Sequence, residues 1–258
     1  MRTLRNFSVL MIAFCLLFIP SGVYAQKSMV IGGNVIKANL SSAVLSNYQI
    51  QYERVTGPFQ SVAIGFSISP NVKLPFGGSL SDAVGGDDDQ IVKAIESIRF
   101  TRFSVTPEYR FYFGQKGAPG GFYLGTFARY THMSMENIYP FTTDDGIEHE
   151  MEVKGTFNGY GAGAMIGIQW LLGSSITLDW WIIGPFIGVM NSKFDGVDNH
   201  PTDKLTPQQE ADLEADINDV ELPMWTVEAD VQDMKATVDL KGPFYGARFM
   251  GLSFGFRF

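Results

Sequence analysis

The chain has 258 residues, 19 Lys and Arg against 27 Asp and Glu, a formal charge of −8 and one cysteine. That acidic balance excludes nucleic-acid binding through a basic surface, and a lone cysteine excludes a disulfide framework. Beyond the N-terminal leader, no stretch approaches the roughly 18 to 20 continuous apolar residues that a spanning helix requires.

The N-terminus has the pattern of an export signal. Arg2 and Arg5 supply a positive start, Val9 to Ile19 an apolar run too short to span, and Val23-Tyr24-Ala25 a small-residue cleavage site. Residues 1–25 are therefore expected to be removed as a signal peptide, leaving 26–258 as the mature domain. Cys15 departs with the leader, and a cysteine-free chain suits an oxidising envelope compartment. The remaining length, about 230 residues, suits one domain or one small barrel. If such a chain crosses a membrane, it must do so as a closed sheet.

Read with period two, the mature sequence yields eight predicted strands, near 29–40, 46–56, 59–69, 98–113, 121–133, 153–171, 175–190 and 243–258. The first is loosely alternating. The second sets Tyr48, Ile50 and Tyr52 against Gln49, Gln51 and Glu53, and the third sets Val62, Ile64, Phe66 and Ile68 against Ser61, Ala63, Gly65 and Ser67. In the fourth, Phe103, Val105, Pro107, Tyr109, Phe111 and Phe113 share one face and Arg102, Ser104, Thr106, Glu108 and Arg110 the other, so the strand cannot be buried in an apolar core. The fifth is again loose. The sixth places Tyr160, Ala162, Ala164, Ile166, Ile168 and Trp170 opposite a row of glycines, which close packing of the wall explains. In the last, Leu252, Phe254, Phe256 and Phe258 alternate with small or charged residues. Arg248 shares parity with Met250 and Phe254, so either it reaches the outer interface or a bulge changes register near Phe249.

Short connections (Thr56-Gly57-Pro58, 114–120, 172–174) alternate with long ones (70–97, 134–152, 191–242), and the first, 41–45, is intermediate. With both termini in the periplasm, every tight turn falls on that side and every long loop outside, the asymmetry of transmembrane barrels. The predicted fold is all-β: an eight-stranded antiparallel transmembrane β-barrel with long external loops, the last of them, 191–242, a loop or lid. Trp170, Tyr112, Phe113, Phe122 and Phe258 are expected in an aromatic girdle at the periplasmic ends. Within 191–242, Thr206 as N-cap, Pro207 at the first helical position and Gln209 completing a capping box predict a short helix with Leu213, Ile217 and Val220 as its apolar stripe. Trp225 to Val231 and Ala236 to Leu240 then alternate, and either form a hairpin or extend the last strand.

Eight strands enclose a lumen that side chains nearly fill. Glu53, Glu108 and Asp179 are expected to point into it with Arg102, Arg110, Arg129 and Arg257, and Lys37 is a further candidate. Mixed signs at this density favour a charge-paired plug, because unpaired charges in so narrow a space are costly. A narrow channel for small solutes is the alternative.

Lys37-Ala38-Asn39-Leu40, Tyr52-Glu53-Arg54, the PEYRFYFG run from Pro107 to Gly114 and the GFYLGTFARY run from Gly121 to Tyr130 carry a family resemblance. They are similar to an uncharacterised, Bacteroidota-type family of Gram-negative outer-membrane β-barrels, a domain of unknown function. The resemblance covers most of the mature chain; it implies location in the cell outer membrane and no activity. Phe258 resembles the terminal aromatic by which such barrels are recognised by their insertion machinery. That machinery, outer-membrane lipid and lipopolysaccharide are the partners it implies.

Two acidic clusters, Asp82 to Asp89 with Asp87, Asp88 and Asp89 adjacent, and Asp144 to Glu150, offer oxygens of the kind Ca²⁺ takes, without the ligand spacing of an EF-hand. Solvated acidic loops are the preferred reading of both, and no metal site is assigned. His132-Met133-Ser134 resembles the histidine and serine, two apart on one strand face, of outer-membrane lipid A deacylases. Glu148 or Glu150 is the candidate acid to orient the base. Met135 departs from that pattern, standing where those enzymes carry asparagine. There is no phosphate-binding glycine loop, zinc spacing or Cys–His pair, and no cofactor is expected. The expected function is a small non-enzymatic outer-membrane barrel with a structural or surface-interaction role, with 191–242 as a contact surface for a protein partner. A lipid A-modifying hydrolase using His132 and Ser134, and a narrow channel, are the alternatives.

Overall fold

The computed structural model describes residues 33–73, 98–114, 117–142, 148–198, 206–219, 224–232 and 235–258. The predicted leader, the acidic run with Asp87, Asp88 and Asp89, and Asp144 and Asp145 lie outside the described residues. Nine strands form one antiparallel sheet: β1 (Asn34–Asn39), β2 (Tyr48–Gly57), β3 (Gln60–Lys73), β4 (Arg99–Phe113), β5 (Gly121–Thr142), β6 (Glu148–Leu172), β7 (Ile176–Asp198), β8 (Thr226–Gln232) and β9 (Lys235–Arg257). Strands β1 to β7 pair in sequence, β7 pairs with β9, and β9 pairs back onto β1. The sheet therefore closes into a ring of eight strands, and β8 lies outside it, on the upper part of β9. Closure runs from Val35↔Arg257 to Asn39↔Ser253 and ends with reciprocal backbone bonds between Asn34 and Phe258, 3.0 and 2.9 Å.

The strands outrun their apolar alternation. β5, β6, β7 and β9 have 22 to 25 residues, at least twice the 9–11 or so needed to cross a bilayer. The segments 134–152 and 191–242, expected as loops, are thus strand over much of their length. Hairpin ladders need only backbone partners, so pairing continues where the side chains turn polar. The expected hairpin forms as β8 and β9, and the same residues also extend the last strand, because β9 pairs β7 on one side and β8 on the other.

Two short helices decorate the sheet. α1 (Leu40–Val44) occupies the first connection, where sequence periodicity shows no helix; Asn39 caps it by accepting from the Ser42 N–H at 2.7 Å. α2 (Pro207–Asn218) has the expected Thr206–Gln209 capping box. Leu213 and Ile217 are half-buried, and Val220 lies outside the described residues. The helix covers the free edge of β8: Asn218 Oδ1 accepts from the Ala229 N–H at 2.8 Å and Glu214 Oε2 from the Val231 N–H at 3.1 Å. Edge donors that would otherwise template another strand are thereby occupied.

Candidate functional site

Alternation sorts every clean strand into an apolar outer face and a polar interior. Ile50, Ile64, Phe66, Phe103, Leu124 and Phe254 lie exposed outside, while Glu53, Arg110, Gln169, Thr177 and Asp179 are fully buried inside. This inverts the usual soluble arrangement, in which charges are almost never fully buried unless paired.

The interior charges pair as a continuous network. Lys37 Nζ lies 2.6 Å from Glu53 Oε2 and 2.6 Å from Asp179 Oδ2, and donates to Gln169 Oε1 at 2.7 Å. Arg110 reaches Asp179 Oδ2 at 2.7 Å, Glu108 Oε2 at 2.6 Å and Gln51 Oε1 at 3.0 Å. Arg248 donates to Glu108 Oε1 at 2.6 Å. Hydroxyls complete the carboxylates: Ser61 and Tyr112 donate to Glu53 Oε1 at 2.5 and 2.6 Å, and Tyr123 donates to Asp179 Oδ1 at 2.9 Å. Three cations thus face three carboxylates. The arginines are further held by rings, Arg110 4.5 Å from the centroid of Tyr123 and Arg248 4.4 Å from that of Trp181.

Three members were not assigned to the interior on sequence grounds. Tyr112, expected in the outer girdle, is completely buried; it shares parity with Glu108 and Arg110, which is the signal that finds it. Tyr123 lies in the loosely alternating fifth strand. Arg248 depends on a bulge: pairing passes from Trp181↔Gly251 to Ile183↔Phe249, skipping Ile182 and Met250, and Met250 takes φ +46°. Both strands change parity there, which turns Arg248 inward and leaves Phe249 and Met250 exposed. The bulge is closed by α1: Ser41 Oγ accepts from the Leu252 N–H at 3.0 Å and donates to the Met250 carbonyl at 3.3 Å. Gly251 is required beside it, since any Cβ there would run into the Trp181 indole.

The other expected lumen residues stand apart from the network. Arg102 donates to Ser69 Oγ at 3.1 Å and Arg129 to Thr131 Oγ1 at 3.3 Å, with no ion pair to a carboxylate among the described residues. Arg257 sits at the tight-turn end, its guanidinium against Gly33. Phe113, Phe122, Trp170 and Phe258 are exposed around that end, with Phe113 and Phe122 centroids 6.0 Å apart.

His132 and Ser134 lie on the outward parity of β5, opposite to Arg129, Thr131 and Met133. His132 Nδ1 is 2.9 Å from Asn158 Oδ1, which Tyr130 also reaches at 2.9 Å. Glu148 pairs with Thr142, eight residues along β5 from Ser134 and about 26 Å away at the usual strand rise. The backbone at Glu148 is therefore remote from Ser134, and Glu150, paired with Pro140, is six residues along β5 from it. Ser134→Ala is expected to leave lipid A acylation unchanged, checked by mass spectrometry of lipid A from cells expressing either protein; loss of an acyl chain that depends on Ser134 would reverse this.

In three dimensions the chain is similar to a major outer membrane protein from Thermus thermophilus, at 12% identity and a TM-score of 0.40, covering 88% of this chain and 99% of that one. No curated protein matches it in sequence. The family model described as "Protein of unknown function (DUF3575)" matches residues 12–211, most of the chain, and the protein belongs to that family.

Proposed function

We propose that the protein is a small, exported, non-enzymatic β-barrel of the outer membrane, with its eight-stranded ring spanning the bilayer. The observation that carries this reading is the inverted sheet: an apolar, aromatic-rimmed outside around a charged inside, the pattern a bilayer demands and water penalises. Removal of 1–25 on export and recognition of Phe258 by the insertion machinery belong to the same reading. The interior network leaves no surplus charge at its own level and fills the ring with hydrogen-bonded side chains, which favours a closed barrel over a channel. The tall hairpins β5–β6 and β7–β9, with β8 and α2, then stand clear of the lipid as the surface that meets lipopolysaccharide or a protein partner.

Expressed with its leader, the protein is expected in the outer-membrane fraction. It should migrate differently in unboiled and boiled detergent gels, and give no single-channel steps in planar bilayers. Recovery in a soluble fraction without detergent would overturn the barrel, and regular conductance steps from folded protein would overturn its closure.

A further inference from the structure

Above the network the ring holds a cavity of about 490 Å³, within the range of roughly 300–1,000 Å³ common for small-molecule sites. Its wall is largely apolar, with Met133, Phe157, Phe186 and Phe244 among its lining, and Trp225 joins it from the segment before β8. Phe186 and Phe244 pack at 5.0 Å between centroids. Two cations face this space, Arg102 and Arg129.

These two differ from every other interior charge. Lys37, Arg110 and Arg248 each have carboxylates within 2.7 Å, and that network is neutral without help. Arg102 and Arg129 have no ion pair to a carboxylate among the described residues. Each is anchored by one hydroxyl, Ser69 and Thr131, and Ser104 braces Thr131 at 3.0 Å. Arg102 Nε is buried with no hydrogen-bond partner. Arg129 further rests with its guanidinium carbon 6.0 Å from the Phe186 ring centroid. Anchoring through one nitrogen leaves the remaining N–H groups of each fork available to an anion, the geometry that suits a carboxylate or phosphate. Two half-buried cations that pair with no carboxylate among the described residues are costly in a narrow interior, and an anionic group between them lowers that cost.

We propose that this cavity binds a small amphipathic anion, its carboxylate or phosphate head held by Arg102 and Arg129 and its apolar body against Met133, Phe157, Phe186 and Phe244. The head accounts for the two arginines, and the tail for a largely apolar wall. The inference goes beyond the barrel assignment and depends only on the ring interior.

The test uses the folded full chain in lipid nanodiscs, titrated calorimetrically with octanoate, octyl phosphate and octanol, with empty nanodiscs as the blank. Saturable one-to-one binding of octanoate, octyl phosphate or both is expected, with no matching signal from octanol; the stronger of the two identifies the head group. The double variant Arg102→Gln with Arg129→Gln is expected to weaken binding about a hundredfold or more, since two charge-assisted bonds are lost. No binding by either anion, equal binding of octanol, or an unchanged double variant overturns the proposal. If the double variant does not fold, Met133→Trp decides: it fills the cavity and keeps both arginines, so retained binding overturns the site and lost binding supports it.

Discussion

Asp179→Ala is expected to destabilise the folded protein by about 3–5 kcal/mol, the cost of removing one partner from a buried ion pair. Asp179 Oδ2 takes both Lys37 at 2.6 Å and Arg110 at 2.7 Å, and Oδ1 accepts from Tyr123. Its loss leaves three buried cations against two carboxylates. Charge balance, more than the number of lost bonds, sets the size of the effect. The double variant Lys37→Met with Asp179→Leu is therefore expected to recover most of the loss, because it removes one charge of each sign. Urea titration of protein folded in lipid vesicles, read from the fraction keeping its unboiled gel mobility, measures both. A cost for Asp179→Ala below about 1 kcal/mol, the net value of an ordinary hydrogen bond, would show that the network does not hold the ring together.

Phe66→Arg on the outer face is expected to cost about 2–4 kcal/mol in a bilayer, the penalty for a cation near the lipid midplane. Phe66 sits mid-strand in β3, opposite Ile50 and Val105, with its side chain 40% exposed. On a water-facing sheet the same exposed position would tolerate arginine within about 0.5 kcal/mol. The substitution thus separates a lipid-facing wall from a solvated one. Ala211→Arg, exposed on α2 beyond the proposed membrane zone, serves as the control and is expected to change stability little. Equal, small effects at both positions would remove the bilayer from the account.

Much of the architecture was legible in the sequence, unevenly and for physical reasons. The clean strands β2, β3 and β4 show their faces outright, because a side-chain period of two leaves no freedom once one face is apolar. Turn chemistry marked the short connections, as at Gly173, which takes φ +70° in the β6–β7 turn. Strand ends were not legible, since polar hairpins such as the far parts of β5 and β6 carry no alternation to mark them. α1 was missed because five residues are too few to display a helical period.

The interior chemistry divides along the same line. Glu53, Glu108 and Arg110 carry parities that assign them to the inner face, because each lies in a strand whose pleat is unbroken. Which of them meet is a matter of register between strands distant in sequence: Lys37 and Asp179 are 142 residues apart, and only closure of β9 onto β1 puts them in one ring. Arg248 joins through a bulge, a backbone event that parity signals only as a conflict. Local alternation, then, carried the antiparallel strands and the sense of their two faces, because that pattern is written in neighbouring residues. The neutral network, the two arginines above it and the separation of Ser134 from Glu148 came from the closed sheet alone, because pairing register and curvature, which no local window contains, decide which inward side chains share a level.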